Sequence, residues 1–197
     1  NMPPLAYLRR IQSIDSERIR DSYTDPSVWD NFDPSLITLC SPDPQAFRPP
    51  EEKINVLQVG LPTNFKAAGF DSKAHTDILS NLEADIQSIR YTVSGEEVEL
   101  PVKLRVHDSV FTPLAKWSML MAGNYRCVQE SGMRPIKEAV HSDLSASESV
   151  YEWVIDLCEK LGGERGDLVP FEKYANAALS LVNPSSAARA LANGAPN

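Results

Sequence analysis

Nine of the 15 prolines fall within the first 62 of 197 residues. This crowding constrains the fold more than any other feature of the chain. Proline lacks a backbone N–H and clashes with the turn before it, so it breaks helix interiors and is confined to sheet edges. Long elements are therefore excluded from a stretch punctuated at Pro26, Pro34, Pro42, Pro44, Pro49 and Pro50. What remains between them is short. Leu5 to Ile11 and Asp15 to Tyr23 read as short helices. LITLC (Leu36 to Cys40) and INVLQVGL (Ile54 to Leu61) are apolar and partly β-branched, which predicts two short strands. Two strands joined by a proline-rich loop make the edge of a sheet, not a whole one.

From Asp71 onward the period changes. Ile78, Leu79, Leu82, Ile86 and Ile89 recur at helical spacing, with Asp71 or Ser72 placed to cap the start. TVSGEEVELPVKLRV predicts a hairpin with Gly95 in its turn. Thr112 and Pro113 open a helix that runs through Lys116 to about Val128, because proline in the first turn gives up no useful donor. A short helix follows Pro135. Val150, Trp153, Val154, Leu157 and Leu161 mark an amphipathic helix stopped at Gly162 and Gly163. Phe171, Tyr174, Ala178 and Leu181 mark another. The last runs from Ser185 to Leu191, with Asn183 as the expected cap before Pro184 and Gly194 as the stop. The expectation is a mainly α fold: a small β-containing segment over residues 1–62 and a helical body over 63–197.

Charge and composition exclude several functions. The chain carries 27 acidic against 19 basic residues, a formal net charge of -8, which argues against a nucleic-acid surface. No apolar run approaches the roughly 18 residues of a membrane span, and NMPPLAYLRRIQ has no signal-peptide core. No membrane partner and a cytoplasmic location are expected. Cys40, Cys127 and Cys158 are odd in number and far apart, which fits neither a disulfide framework nor a zinc site; they read as small buried hydrophobes of a reduced protein. His75, His107 and His141 lack partners at metal spacing, so no metal is expected. No G-x-G-x-x-G occurs, and the glycines of LGGERG follow a helix, not a strand. In VHDS (Val106 to Ser109), neighbours on a strand point to opposite faces, so no Ser-His-Asp relay forms.

One stretch carries a candidate site. In PLAKWSMLMAGNY, Lys116, Leu120 and Asn124 are four apart and share one stripe of a helix that is otherwise apolar. Either the lysine packs its stem and keeps its amine in water, or Lys116 and Asn124 face a binding site. Met119, Met121 and Trp153 read as core.

LAKWSMLMAGN (Leu114 to Asn124) followed, in that order, by NPSSAARALANGAPN (Asn183 to Asn197) resembles the C-terminal helical domain of the ketopantoate reductase family. Members reduce a 2-keto acid with NADPH. Lys116 matches the family's helix-borne catalytic lysine and Asn124 the second of two asparagines that follow it. Leu120 stands at the first asparagine, and Trp117 follows the lysine where the family has its tryptophan before it. Ser186 matches a substrate-contacting serine and Asn183 the polar residue ahead of it, while Ala187 and Ala190 replace a methionine and an aspartate. The family's glutamate would fall immediately after Asn197. LITLCSPDPQAFRPPEEKINVLQVGLP is similar to the strand–loop–strand that closes the family's nucleotide-binding domain. The helix from Ser72 to Ile89 is similar to the one that leads to the lysine helix. The likeness covers residues 36 to 197.

The resemblance implies a 6-phosphogluconate-dehydrogenase-like C-terminal helical domain that binds a small 2-keto acid and pairs as a homodimer. It implies Lys116 as acid or electrostatic stabiliser of the carbonyl oxygen. It implies Asn124, Asn183 and Ser186 as substrate contacts. NADP(H) is the family's cofactor. Without a glycine loop or the terminal glutamate, this chain alone is expected neither to bind it nor to act as a reductase. The alternative is a non-enzymatic interaction or structural domain that keeps the scaffold, which Leu120 and Ala190 favour.

Overall fold

A computed structural model describes residues 3–41, 46–47, 51–53, 55–56, 58–59 and 63–194. In chain order the helices are α1 (Leu5–Leu8), α2 (Lys73–Ser88), α3 (Lys116–Met119), α4 (Ile136–His141), α5 (Leu144–Lys160), α6 (Phe171–Ala178) and α7 (Ser186–Ala192). The strands are β1 (Ala46–Phe47), β2 (Gln58–Val59), β3 (Thr63–Ala68), β4 (Arg90–Val93), β5 (Glu96–Glu99) and β6 (Val102–His107). The protein is mainly α, and every described sheet has two strands. No helix among the described residues is long and apolar enough to cross a membrane. The chain divides into two compact units. One comprises residues 1–42, 62–114 and 161–163, the other 43–61, 115–160 and 164–197.

The first unit is built on a parallel pair. β3 and β6 run side by side from Thr63 opposite Val102 to Ala68 opposite His107, with α2 between them in sequence and packed on β6. A parallel pair needs such a crossover, because its ends lie at opposite edges. Neither the strand at Thr63–Ala68 nor its pairing is foreseen by the hairpin expected over TVSGEEVELPVKLRV. The hairpin is confined to β4 and β5, turning through Ser94 and Gly95 at φ 54° and 88°. Both angles are positive, as a type I′ turn demands. Pro101 then ends the ladder, and Val102 starts a strand that leaves for β3.

The N-terminal stretch folds as turns. Asp15 to Tyr23, expected as helix, holds only a 3-10 turn at Arg20–Ser22. LITLC touches β3 through an isolated bridge from Cys40 to Ala67, because Asp33 caps a 3-10 turn at Pro34–Leu36 that uses up its start. Of the strand expected at Ile54 to Leu61, Gln58–Val59 pairs antiparallel with Ala46–Phe47 in the second unit; Ile54, Leu57, Gly60 and Leu61 lie outside the described residues.

Leu5, Tyr7, Leu8 and Ile11 are buried, as are Ala67, Ala68, Leu104 and Phe111. Arg10 pins this unit. Its guanidinium donates to the carbonyls of Ile37 (3.0 Å) and Gly69 (2.8 Å) and to Asp71 (2.9 Å). α2 spends only half of its apolar residues. Leu79 and Ile86 are half-buried, whereas Ile78 is 65% exposed and Leu82 and Ile89 face water. Two strands are too narrow a floor to cover a sixteen-residue helix.

The second unit is helical, with α5 as its spine. Ser147, Tyr151, Val154, Ile155 and Cys158 are buried at the spacing of one helix face. Tyr151 stacks on Tyr174 at 5.4 Å between centroids and meets Phe171 edge-on at 5.4 Å. Ile136 and Val140 of α4 complete this core with Cys127 and Ala178. Trp153, expected in the core, is 61% exposed: it lies on α5 between the buried positions 151 and 154, on the outer face. Met121 is exposed as well. Cys127 and Cys158 are buried, Cys40 is exposed, and none of the three is in a disulfide.

Candidate functional site

Lys116, Asn124, Asn183 and Ser186 all belong to the second unit. The helix that carries the first two is not uniform. It opens as a 3-10 turn over Thr112–Ala115, as Thr112 and Pro113 led one to expect, becomes α over Lys116–Met119, widens to a π turn over Leu120–Asn124 and tightens to a 3-10 turn over Tyr125–Cys127. A regular α-helix turns about 100° per residue, so positions four apart drift about 40° and eight apart about 80°. A π turn rotates less per residue and takes back part of that drift. The irregularity therefore holds Lys116 and Asn124 closer to one line than an α-helix would. The two remain roughly 12 Å apart along the axis, at about 1.5 Å per residue.

Two residues keep the wide turn open. Tyr174 of α6 donates its hydroxyl hydrogen to the Met119 carbonyl at 3.2 Å. Gly123 leaves room for that ring: a Cβ there would overlap the Tyr174 oxygen and lie 3.0 Å from the Val140 methyl. Burial, aided by neighbouring Cys127 and Tyr151 and opposed by Arg126, holds the Tyr174 hydroxyl far above the ordinary tyrosine range. Tyr151 is pushed up to about 12, chiefly by burial, and donates to the Val169 carbonyl at 2.7 Å.

The end of the π turn is seated on the start of α7. Asn124 is only 6% exposed. Its carbonyl accepts the Ser185 hydroxyl hydrogen at 2.6 Å, while the same oxygen of Ser185 accepts the Ala188 N–H at 3.2 Å. Ser185 is fully buried and caps α7. The cap expected at Asn183 is thus two residues further on. Asn183 instead offers its carbonyl to the Ile136 N–H at 3.1 Å, and Leu181 offers its own to Lys137 at 3.0 Å. The approach to α7 is tied down on the first turn of α4, and this sets the point at which α7 can begin.

Lys116 is half-buried at the start of α3. Asn124 is buried and joined through its backbone to Ser185, the residue just ahead of Ser186. Asn183 and Ser186 are exposed. The lysine helix and the start of α7 therefore meet at Asn124, with Lys116 about two turns away. The sequence marked Tyr174 and Ser185 only as helix residues and did not point to Arg126. Arg126 donates to the Ala122 carbonyl at 3.4 Å and to the Ser147 hydroxyl, binding the end of the irregular helix to α5. The one visible signal was Gly123, since glycine inside a helical run marks a close approach.

A lysine and an asparagine on this helix, with a serine at the next helix start, supply one cation and several neutral hydrogen-bond groups. A cation with neutral donors can hold a small anion. Among the described residues no group of three or more His, Cys, Asp or Glu is placed to hold a metal. A dinucleotide phosphate has no cradle in the turn from β3 into α2. Arg10 occupies its carbonyl side at Gly69, and the Thr76 hydroxyl accepts the Phe70 N–H at 2.8 Å. NADP(H) does not fit there. Compared with known proteins, the chain matches no family model, no curated protein and no solved structure.

Proposed function

We propose that the helical unit is the substrate-binding and dimer-forming half of a ketopantoate-reductase-like, NADPH-dependent 2-keto-acid reductase. Lys116 serves as the cation for the carbonyl oxygen, and Asn124, Asn183 and Ser186 as donors to the substrate. One observation carries this reading: the lysine helix widens into a π turn whose last residue, Asn124, is hydrogen-bonded to the cap of α7. π turns inside helices gather at functional sites, and this one joins the segment ending at Asn124 to the segment that begins at Asn183.

In this reading the substrate carboxylate lies at Ser186, and the Lys116 side chain must reach back along most of the two turns toward Asn124 for its amine to meet the carbonyl on the adjacent carbon. A cation there offsets the charge that develops on the oxygen as hydride arrives. NADPH would supply the hydride, as in the family, while this chain's own residues bind the keto acid and polarise its carbonyl. The test is calorimetric titration of the chain with ketopantoate. Saturable binding at or below about 1 mM is expected. It is to be lost in Lys116→Ala and weakened in Ser186→Ala, with thermal unfolding unchanged in the serine variant. No saturation by about 10 mM, or equal binding by both variants, sinks the reading.

A second reading has its own support. Trp153 is 61% exposed, and Val182 and Leu179 are exposed too. At the two positions where the family is polar, Leu120 is half-buried and Ala190 exposed. An interaction domain that kept the scaffold would show such a surface. Sedimentation equilibrium of the wild type and Trp153→Glu separates the two: a dimer broken by the glutamate, with no keto-acid binding, favours this second reading.

A further inference from the structure

The first unit holds a hollow of about 240 Å³ between the last turn of α2, the β4–β5 hairpin and β6. Arg90, Lys103 and Arg105 line it together with a single acid, Glu99. Three of the chain's 19 basic residues thus converge at one place on a protein whose net charge is -8. Lys103 and Arg105 are two apart on β6 and so share one face of the strand, with buried Leu104 on the other.

The donors are unequally spent. Arg90 is committed: Nη1 donates to the carbonyls of Gln87 (2.8 Å) and Ile89 (2.9 Å), and Nη2 to Glu99 (3.1 Å). Arg105 gives one N–H to Glu83 at 2.9 Å. Glu83 is itself held by the Val106 N–H and by Gln87. A guanidinium carries five N–H donors and an ammonium three. Arg105 therefore keeps four, and Lys103 keeps all three, since it bonds to none of the described residues.

The chain already supplies carboxylates, each set against one arginine. A ligand that competes with them must bring more charge and more acceptor oxygens. A phosphate monoester brings nearly two charges and three acceptors. Phosphate alone, the bulk of a few waters at about 30 Å³ each, leaves space for a short carbon chain. We propose that this hollow binds a small phosphate monoester, with Lys103 and the open edge of Arg105 on the phosphate and Arg90, braced by Glu99, as the wall behind it.

The test is amide NMR of the whole chain at low salt, titrated with glycerol 3-phosphate. Inorganic phosphate, glycerol and chloride at matched ionic strength are the comparisons. Saturable shifts confined to residues 86–105 are expected, with a dissociation constant at or below about 1 mM. Lys103→Gln is the informative variant, because this side chain holds nothing in place and its loss leaves unfolding unchanged. It should weaken binding by about tenfold, as the loss of a charge-assisted hydrogen bond does. Lys173→Gln, on the outer face of α6, should bind as wild type. Three results each overturn the proposal: shifts equalled by chloride, no saturation by about 10 mM, or full affinity in Lys103→Gln. Ester binding no tighter than inorganic phosphate overturns the choice of a monoester.

Discussion

The Tyr174 hydroxyl lies 3.2 Å from the Met119 carbonyl, in the space that any side chain on residue 123 would have to enter. The π turn, the bare glycine and the buried phenol are one arrangement. The wide turn exposes a carbonyl, the tyrosine satisfies it, and only glycine lets the ring come close enough. Gly123→Ala should therefore destabilise the protein by about 1–3 kcal/mol through overpacking, even though alanine is the better helix former by about 1 kcal/mol. Chemical denaturation is the measurement. Tyr174→Phe in the Gly123→Ala background should recover part of the loss, because it removes the oxygen that the new methyl strikes. Strictly additive losses in the double variant would show that the two positions do not share this space.

Adjacent serines at the start of α7 should behave oppositely. Ser185 is fully buried and holds both the Ala188 N–H and the Asn124 carbonyl. Ser185→Ala removes a cap worth about 1 kcal/mol and leaves a buried carbonyl bare at about 1–3 kcal/mol. Ser186 is exposed, so Ser186→Ala should stay within about 0.5 kcal/mol of wild type. Thermal melts of the two variants side by side decide it. Equal losses would mean that the cap has been assigned to the wrong hydroxyl.

The helices were legible where the apolar period ran long. α2 follows Ser72 as expected, α5 stops before Gly162 as expected but begins at Leu144, six residues ahead of Val150, and Gly95 does turn its hairpin. Local patterns do not carry partner choice. Val102 to His107 alternates as a hairpin arm would, yet pairs with Thr63 to Ala68, 39 positions earlier in register. Nothing in either segment names the other. The cap moved from Asn183 to Ser185 for a similar reason. Capping rules favour both residues, and the choice falls to a tertiary bond with Asn124 and to the tether of Asn183 on Ile136. Lys116 posed a question of direction that spacing alone does not answer, since the π turn that alters the stripe is held by Tyr174, 55 residues beyond Met119.

Arg10 ties three residues of the first unit to the end of α1. Its side chain is 3% exposed and joins α1 to the Ile37 and Gly69 carbonyls and to Asp71. Arg10→Met should cost about 2–4 kcal/mol, because two carbonyls lose their donor and each uncompensated group costs about 1–3 kcal/mol. Arg10→Lys should recover little, since a single ammonium does not fork to three acceptors. Asp71→Asn should be mild, at most about 1 kcal/mol, because Asp71 is 67% exposed. Urea unfolding of the three variants checks the order. A mild Arg10→Met would mean that water takes over the two carbonyls.

Alkaline pH should unfold the protein through its buried tyrosines. Burial raises Tyr151 to about 12, and raises Tyr174 and Tyr7 further, with Arg10 partly offsetting the shift at Tyr7. An unfolded tyrosine releases its proton near pH 10. Since the folded values lie above the unfolded one, the native state keeps protons that the unfolded state gives up. The stability these groups contribute is therefore complete below about pH 10 and is lost as pH rises through about 12. Unfolding midpoints followed from pH 8 to 12 should owe no slope to these groups in the lower half of that range and should fall steeply in the upper half. Tyr151→Phe should make the fall shallower, as one of the ionising groups is gone. Midpoints that stay level to pH 12 would mean that these hydroxyls reach water without unfolding, and the tight seat of Tyr174 against Gly123 would fall with them.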